Sequence, residues 1–155
     1  MNYIIFILMF SFFASGCGQN TEQSDRNNSV YTRADTLCFE RYSGAKNQDT
    51  ASISLVINGD QVNGSYSNYP FEKDARRGII KGSKAGNDIT GTWYHTQEGI
   101  ADSVGFCFRL EENYLMQKQS NFDLKTGREF LADTAVLKLK YMKIQCLKSR
   151  NRFKP

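Results

Sequence analysis

The residues that could carry out catalysis are few in this sequence and lie far apart in it. His95 is the only histidine, and no second histidine or cysteine pair stands at the spacing of a metal site. Glu72 and Glu98 fall in two connections between predicted strands, where they could form an acid pair, but their separation is not determined by the sequence. No nucleophile elbow or phosphate-binding loop is present. We therefore expect a protein that is not an enzyme and that uses no catalytic residue, metal or cofactor.

A dense charge cluster is a candidate binding group. It falls between two predicted strands and consists of Glu72, Lys73, Asp74, Arg76 and Arg77. A run of this kind is more often a solvated turn, which is the favoured interpretation. The alternative is a loop that binds a charged partner.

Aromatic residues form a second candidate binding group. Tyr66, Trp93 and His95 lie on predicted strands, and His95 shares the parity of Trp93, so its side chain would point inward near one end of a barrel. An interior lined by tyrosine and tryptophan can hold a small apolar ligand. The alternative is a strand-end histidine held by a hydrogen bond. We favour an interior filled by side chains, for which an eight-stranded barrel is just wide enough, and leave the hollow interior open.

The N-terminus has the pattern of a bacterial lipoprotein signal peptide. Residues 4–13 are apolar, and Ala14, Ser15 and Gly16 then precede Cys17. About ten apolar residues are too few to span a bilayer comfortably, and small residues before a cysteine are typical of a cleaved lipoprotein signal. We predict a signal peptide at 1–16 and acylation of Cys17 by chains such as palmitate. An ordinary cleaved signal or an uncleaved anchor is the alternative.

The remaining chain divides into a tether, one domain and a basic tail. Residues 17–35 begin with the lipidated cysteine and are otherwise polar. This composition predicts a flexible tether. The domain occupies 36–148, and the basic tail occupies 149–155. From Lys138 onward the chain has seven basic and no acidic residues, which favours either contact with anionic head groups or a solvated end.

The domain has the pattern of an all-β protein. Apolar and polar residues alternate in 51–57, 102–110 and 134–141, so every second side chain lies on one face. Asn58-Gly59-Asp60 is typical of a hairpin turn. About eight such strands predict an antiparallel meander that closes into an up-and-down, lipocalin-like or calycin-like barrel. A sandwich is the alternative. A repeated apolar-x-Gly pattern, at Gly64, Gly82 and Gly91, suits strongly coiled strands.

Three cysteines remain in the domain, namely Cys38, Cys107 and Cys146. An exported compartment allows disulfides. Cys38 lies in the first predicted strand and Cys146 at the end of the last, and these strands are neighbours in a closed barrel. We therefore predict a Cys38–Cys146 disulfide and a free Cys107 on the face opposite Phe106.

Several short motifs occur together between about Thr36 and Cys146. They are Asn58-Gly59-Asp60 with Val62-x-Gly64, Glu72-Lys73-Asp74 followed by Gly78, Trp93-Tyr94, Glu98-Gly99, Asp102-Ser103-Val104 with Phe106, and Lys143-Ile144-Gln145-Cys146. In this order they resemble a family of short, largely uncharacterised Bacteroidota-type lipoproteins. The resemblance implies a small lipocalin-like barrel and supplies no catalytic residues.

These patterns predict a non-catalytic binding module on the bacterial cell envelope, anchored by lipid, with the outer membrane favoured because Gly18 is not aspartate. Its ligand would be a small apolar molecule or an envelope component. The alternative is a protein-binding module that resembles small lysozyme-inhibiting lipoproteins and uses the loop at 72–77. A hydrolase with rim carboxylates is a third hypothesis. Nucleic acid is not expected as a partner in that compartment.

Overall fold

The computed structural model describes residues 35–146 of the 155-residue chain. The predicted signal peptide at 1–16, Cys17, the tether before Asp35 and the basic tail at 149–155 lie outside the described residues. Within the described range the secondary structure consists of strands and turns, as the alternating sequence pattern predicts.

Ten strands are present in the described range. They are β1 (Asp35–Ser43), β2 (Asp49–Asn58), β3 (Gln61–Tyr69), β4 (Arg76–Ala85), β5 (Asp88–Gln97), β6 (Ile100–Leu110), β7 (Tyr114–Lys118), β8 (Asn121–Phe122), β9 (Glu129–Phe130) and β10 (Leu137–Ile144). The predicted strand at 134–141 therefore begins three residues later than expected. It also continues beyond Tyr141 to Ile144.

Eight strands close into an antiparallel barrel in the order β1-β10-β7-β6-β5-β4-β3-β2. Apart from the closing pair β1 and β10, neighbours in the barrel follow one another along the chain; β8 and β9 lie between β7 and β10 in the chain and pair only with each other. The predicted up-and-down barrel of about eight strands is thus confirmed, and the sandwich alternative is wrong. Closure pairs β1 with β10, where Cys38 lies opposite Ile144.

The predicted disulfide joins β1 to the segment that directly follows β10. Cys38 and Cys146 are bonded, with their Cα atoms 5.2 Å apart. Cys107 is a free, half-buried cysteine, whereas Phe106 and Phe108 on the same strand are buried in the core. This alternation agrees with the face that strand parity predicted for Cys107.

The connections divide the barrel into two ends. One end carries the β2–β3, β4–β5 and β6–β7 turns, the start of β1 and the end of β10. We call it the filled end, because fully buried apolar side chains occupy the interior there: Leu55, Val62, Ile89, Phe108 and Leu115. The opposite end, which we call the mouth, carries the β1–β2, β3–β4, β5–β6 and β7–β10 connections.

Glycines inside the wall let neighbouring strands approach closely. A Cβ atom added at Gly64 would lie 1.9 Å from the Ser54 carbonyl oxygen, and one at Gly91 would lie 2.2 Å from the Lys81 carbonyl oxygen. No larger residue fits such a contact without moving the backbone. The apolar-x-Gly pattern therefore corresponds to the tight coiling that a small barrel needs.

The connection from β7 to β10 covers the mouth. Residues 119–136, which we call the cap, leave the wall after Lys118 and return to it at Leu137. The cap carries the β8–β9 hairpin, and four of its residues line the cavity below it: Gln119, Ser120, Phe122 and Glu129. No sequence pattern predicted this hairpin, since each of its strands is only two residues long.

Candidate functional site

The barrel interior remains open at the mouth as a cavity of about 190 Å³. The sequence did not decide between a filled and a hollow interior. In the structure the filled end is packed, and a small cavity lies beneath the cap. A dry cavity of about 150 Å³ holds one benzene molecule. This mouth cavity therefore has room for a ligand about the size of one substituted ring.

Aromatic rings form one wall of the mouth cavity. The ring centroids of Tyr66 and Trp93 are 4.2 Å apart, and the Trp93 Nε1–H donates to the Tyr66 carbonyl oxygen at 3.2 Å. His95 stacks on Trp93 with a centroid distance of 4.2 Å, although it does not itself line this cavity. The three predicted residues are thus brought together, because Trp93 and His95 alternate inward on β5 and Tyr66 does so on β3.

Two tyrosines and a glutamine form a buried hydrogen-bond chain beside this wall. The Tyr141 hydroxyl donates to Gln117 Oε1 at 2.6 Å, and it lies 3.0 Å from the Tyr66 hydroxyl. A hydroxyl has one proton to donate, so Tyr66 is the donor to Tyr141. Burial raises the pKa of both tyrosines, and both hydroxyls stay protonated at neutral pH.

The cap is attached to the wall by charged groups. Glu129 of β9 accepts hydrogen bonds from the Arg76 guanidinium and from the Ser120 hydroxyl, and all three residues line the mouth cavity. Nearer the solvent, Arg128 donates to Asp102 of β6 at 2.7 Å. The Arg76 guanidinium also lies 5.3 Å from the centroid of the Trp93 ring, which is within the range of a cation–π contact.

His95 is buried without full hydrogen-bond satisfaction. Its residue is 7 % exposed, and its Nδ1 atom has no partner in the described part of the chain. Burial and the nearby Arg76 guanidinium lower the pKa of His95, so the imidazole is neutral at neutral pH. The alternative interpretation of His95, a strand-end histidine held by a hydrogen bond, required such a bond, and Nδ1 does not make it.

The predicted charge cluster is divided between the loop and the two faces of β4. Glu72, Lys73 and Asp74 are exposed in the β3–β4 connection and do not line the mouth cavity. Because β4 begins at Arg76, the two arginines point to opposite faces. Arg76 points inward, whereas the Arg77 guanidinium lies outside, 4.9 Å from the Tyr69 ring centroid.

Glu98 lies in the two-residue turn between β5 and β6 and is exposed. Its backbone has a φ of 52°, in the left-handed region, as does the following Gly99, which is typical of a tight hairpin turn. Glu98 lines a second cavity of about 190 Å³, which also touches Arg76, His95 and Glu129. Glu72 lines neither of these cavities, so the structure does not bring the imagined acid pair to one site.

Sequence reasoning missed several residues of the mouth cavity. Arg41, Gln117 and Lys118 line it, and Glu129 closes it. Strand alternation was the available signal for Arg41 and Gln117. Arg41 lies two residues after the buried Phe39, and Gln117 lies two residues after the buried Leu115, so each shares a face with that core residue. Nothing in the sequence around Glu129 indicated that it turns inward.

Within residues 35–146, no group of three or more histidine, cysteine or acidic side chains is placed to hold a metal ion. The same stretch contains no helix long and apolar enough to cross a membrane. No protein-family profile, curated protein or solved structure matches this chain. The interpretation of the site therefore depends on its own geometry.

Proposed function

We propose that the protein is a non-catalytic binding module of the bacterial cell envelope, which takes a small, partly apolar ligand into the mouth cavity. One observation carries the proposal. A cavity with aromatic walls at Tyr66, Trp93 and Phe106 lies inside the barrel and beneath a cap, where a bound molecule is largely removed from water. Small-molecule sites combine apolar walls with placed polar groups, and in this cavity Arg41, Arg76 and Gln117 are polar members of the lining.

The chemistry of the cavity favours binding over catalysis. Among the described residues that line it, Glu129 is the sole carboxylate, and Arg76 and Ser120 already hold it. The two tyrosine hydroxyls are protonated, and their pKa values are raised by burial, so neither is poised to act as a base. We accordingly assign no catalytic residue.

Native mass spectrometry tests the proposal on the full-length protein, extracted with detergent from its own membranes. We expect extra mass that disappears on denaturation. Val104→Phe should abolish it, because Val104 lines the cavity. Ile79→Phe is the matched control, because the Ile79 side chain is 52 % exposed on the outer face of the barrel. A bare mass in the wild type, or extra mass that survives Val104→Phe, would contradict binding in this cavity.

The proposed anchor is the lipid on Cys17, with palmitate-type chains and an outer-membrane location. The described barrel is compatible with this, because β1 begins at Asp35 on the filled end and the ligand site lies at the mouth. Globomycin should leave the uncleaved precursor, and Cys17→Ser should give no acylated product. Normal processing in the presence of globomycin would refute lipidation.

The second candidate function is a protein-binding module of the lysozyme-inhibitor type. It is favoured by the exposed β3–β4 connection, where Phe71 is 52 % exposed beside Glu72, Lys73 and Asp74. An aromatic side chain among charged ones is typical of a protein interface. Inhibition of lysozyme by the wild type, and its loss in Lys73→Glu, would support this candidate. Equal lysozyme activity with and without the protein would remove it.

A further inference from the structure

We infer that the ligand carries an anionic group, and that this group replaces the Glu129 carboxylate on Arg76 while the cap opens. The inference rests on the proposed function and names the ligand class for the same cavity. The class is a small aromatic or otherwise apolar carboxylate, with the apolar part against Trp93 and the anionic group at Arg76.

The first argument is the charge of the cavity lining. Arg41 and Arg76 contribute two positive charges, and Glu129 contributes one negative charge. No carboxylate in residues 35–146 forms an ion pair with Arg41. A cation in a partly enclosed site is costly without a counter-charge. The lining therefore attracts an anion as ligand.

The second argument is that Glu129 already shows how a carboxylate binds here. One of its oxygens accepts from the Arg76 guanidinium and the other accepts from the Ser120 hydroxyl. Charge-assisted hydrogen bonds of this kind are stronger than neutral ones. A ligand carboxylate can take the same two donors once Glu129 has left them.

The third argument is that the cap is a weakly attached part of the barrel. Its two strands have two residues each and pair only with each other. The Arg128–Asp102 ion pair is solvent-exposed, and pairs of that kind contribute little. The part-buried contact between Arg76 and Glu129, with side chains 20 % and 14 % exposed, is therefore the main polar attachment that a competing anion would release.

The test compares benzoate with benzamide, its neutral counterpart of nearly equal size. Trp93 is the only tryptophan in the chain and lies in the cavity wall, so its fluorescence reports binding to the full-length protein in detergent. Wild-type protein should bind benzoate more tightly than benzamide. Glu129→Gln should raise benzoate affinity by on the order of tenfold, because the internal competitor loses its charge, and should leave benzamide affinity unchanged.

Arg76→Gln should lower benzoate affinity by on the order of tenfold and leave benzamide affinity unchanged. Arg77→Gln is its matched control, since Arg77 lies outside the barrel, and Glu72→Gln is the control for Glu129→Gln. Neither control should change benzoate affinity. Near-ultraviolet circular dichroism establishes that each variant is folded before it is titrated.

Cap opening has a separate readout in trypsin cleavage after Lys125, which is exposed between β8 and β9. Benzoate should accelerate this cleavage, and benzamide should not. Benzoate binding without faster cleavage would overturn cap opening. Equal binding of both probes, unchanged by Arg76→Gln and Glu129→Gln, would overturn the anion inference and leave the proposed function standing. No binding of either probe, even in Glu129→Gln, would overturn both.

Discussion

The hydroxyl oxygens of Tyr66 and Tyr141 lie 3.0 Å apart inside the barrel, although 75 positions separate the residues in the chain. Tyr66 is on β3 and Tyr141 is on β10, and these strands are not neighbours in the wall. The contact therefore crosses the interior and joins two sides of the barrel next to the mouth cavity.

Tyr141→Phe should destabilise the protein by about 1–3 kcal/mol, because it leaves the Tyr66 hydroxyl and the Gln117 carbonyl without their buried partners. Urea unfolding followed by circular dichroism measures the change. Tyr94→Phe is the control, since Tyr94 is 48 % exposed on the outer face and should lose almost nothing. Equal losses in the two variants would show that the hydrogen-bond chain does not stabilise the fold.

Removal of the disulfide should cost about 4–5 kcal/mol in the loop-entropy model, because the bond closes a loop with a sequence separation of 108 residues. The double variant Cys38→Ser/Cys146→Ser and the control Cys107→Ser are compared by urea unfolding. Non-reducing peptide mapping should recover the Cys38 peptide linked to the Cys146 peptide. A link from either cysteine to Cys107 would be incompatible with the barrel closure described above.

Gly64→Ala should destabilise the barrel by about 1–3 kcal/mol or more, because its Cβ would meet the Ser54 carbonyl oxygen at 1.9 Å and the backbone would have to move. Gly105→Ala is the matched control in β6, where the nearest atom lies 3.8 Å from the added Cβ. That variant should be neutral or slightly more stable. Thermal melting of the two glycine variants tests this difference in stability. Similar melting temperatures would contradict the close-contact argument.

The stability of the wild type should fall as pH drops below about 6.5, and His95→Gln should remove this dependence. Burial and Arg76 lower the pKa of His95 in the folded state, whereas an unfolded histidine titrates near 6.5. Below that pH the unfolded state binds the proton first, so the free energy of unfolding decreases.

The groups that face His95 are Arg76, Asp102 and Glu129. Ser103 and Arg128 lower the pKa of Asp102, so that carboxylate titrates well below this window. His95 is the only histidine in the chain, which assigns the effect to a single imidazole. The free energies of unfolding of the wild type and of His95→Gln are measured between pH 8 and pH 5. The two curves should converge as the pH falls, and parallel curves would contradict the assignment.

The architecture of the barrel was predictable because it depends on local patterns. Strict alternation, as in Val104, Phe106 and Phe108, commits one face of each strand to the core. Short turns then leave an antiparallel meander, and one buried face favours its closure. Closure in turn makes the first and last strands neighbours, so the Cys38–Cys146 bond followed from the predicted topology.

The candidate site was predictable only for residues that share the alternation of the core. Tyr66, Trp93 and His95 could be placed inside, and Arg76 was noted as part of a charged loop. Its inward orientation depends on the register of β4, in which Arg76 has the same parity as the buried Ile80. A shift of one residue would have exchanged the faces of Arg76 and Arg77.

By itself, the sequence determined the all-β class, the closed order of strands and the disulfide pairing, since each depends on periodicity or on short motifs. The tertiary structure alone decided that the cap lies over the mouth and that Glu129 meets Arg76 there, 53 positions away. The physical reason is that the cap has no periodic pattern of its own. Its position depends on charged side chains from distant strands, which only the closed barrel brings together.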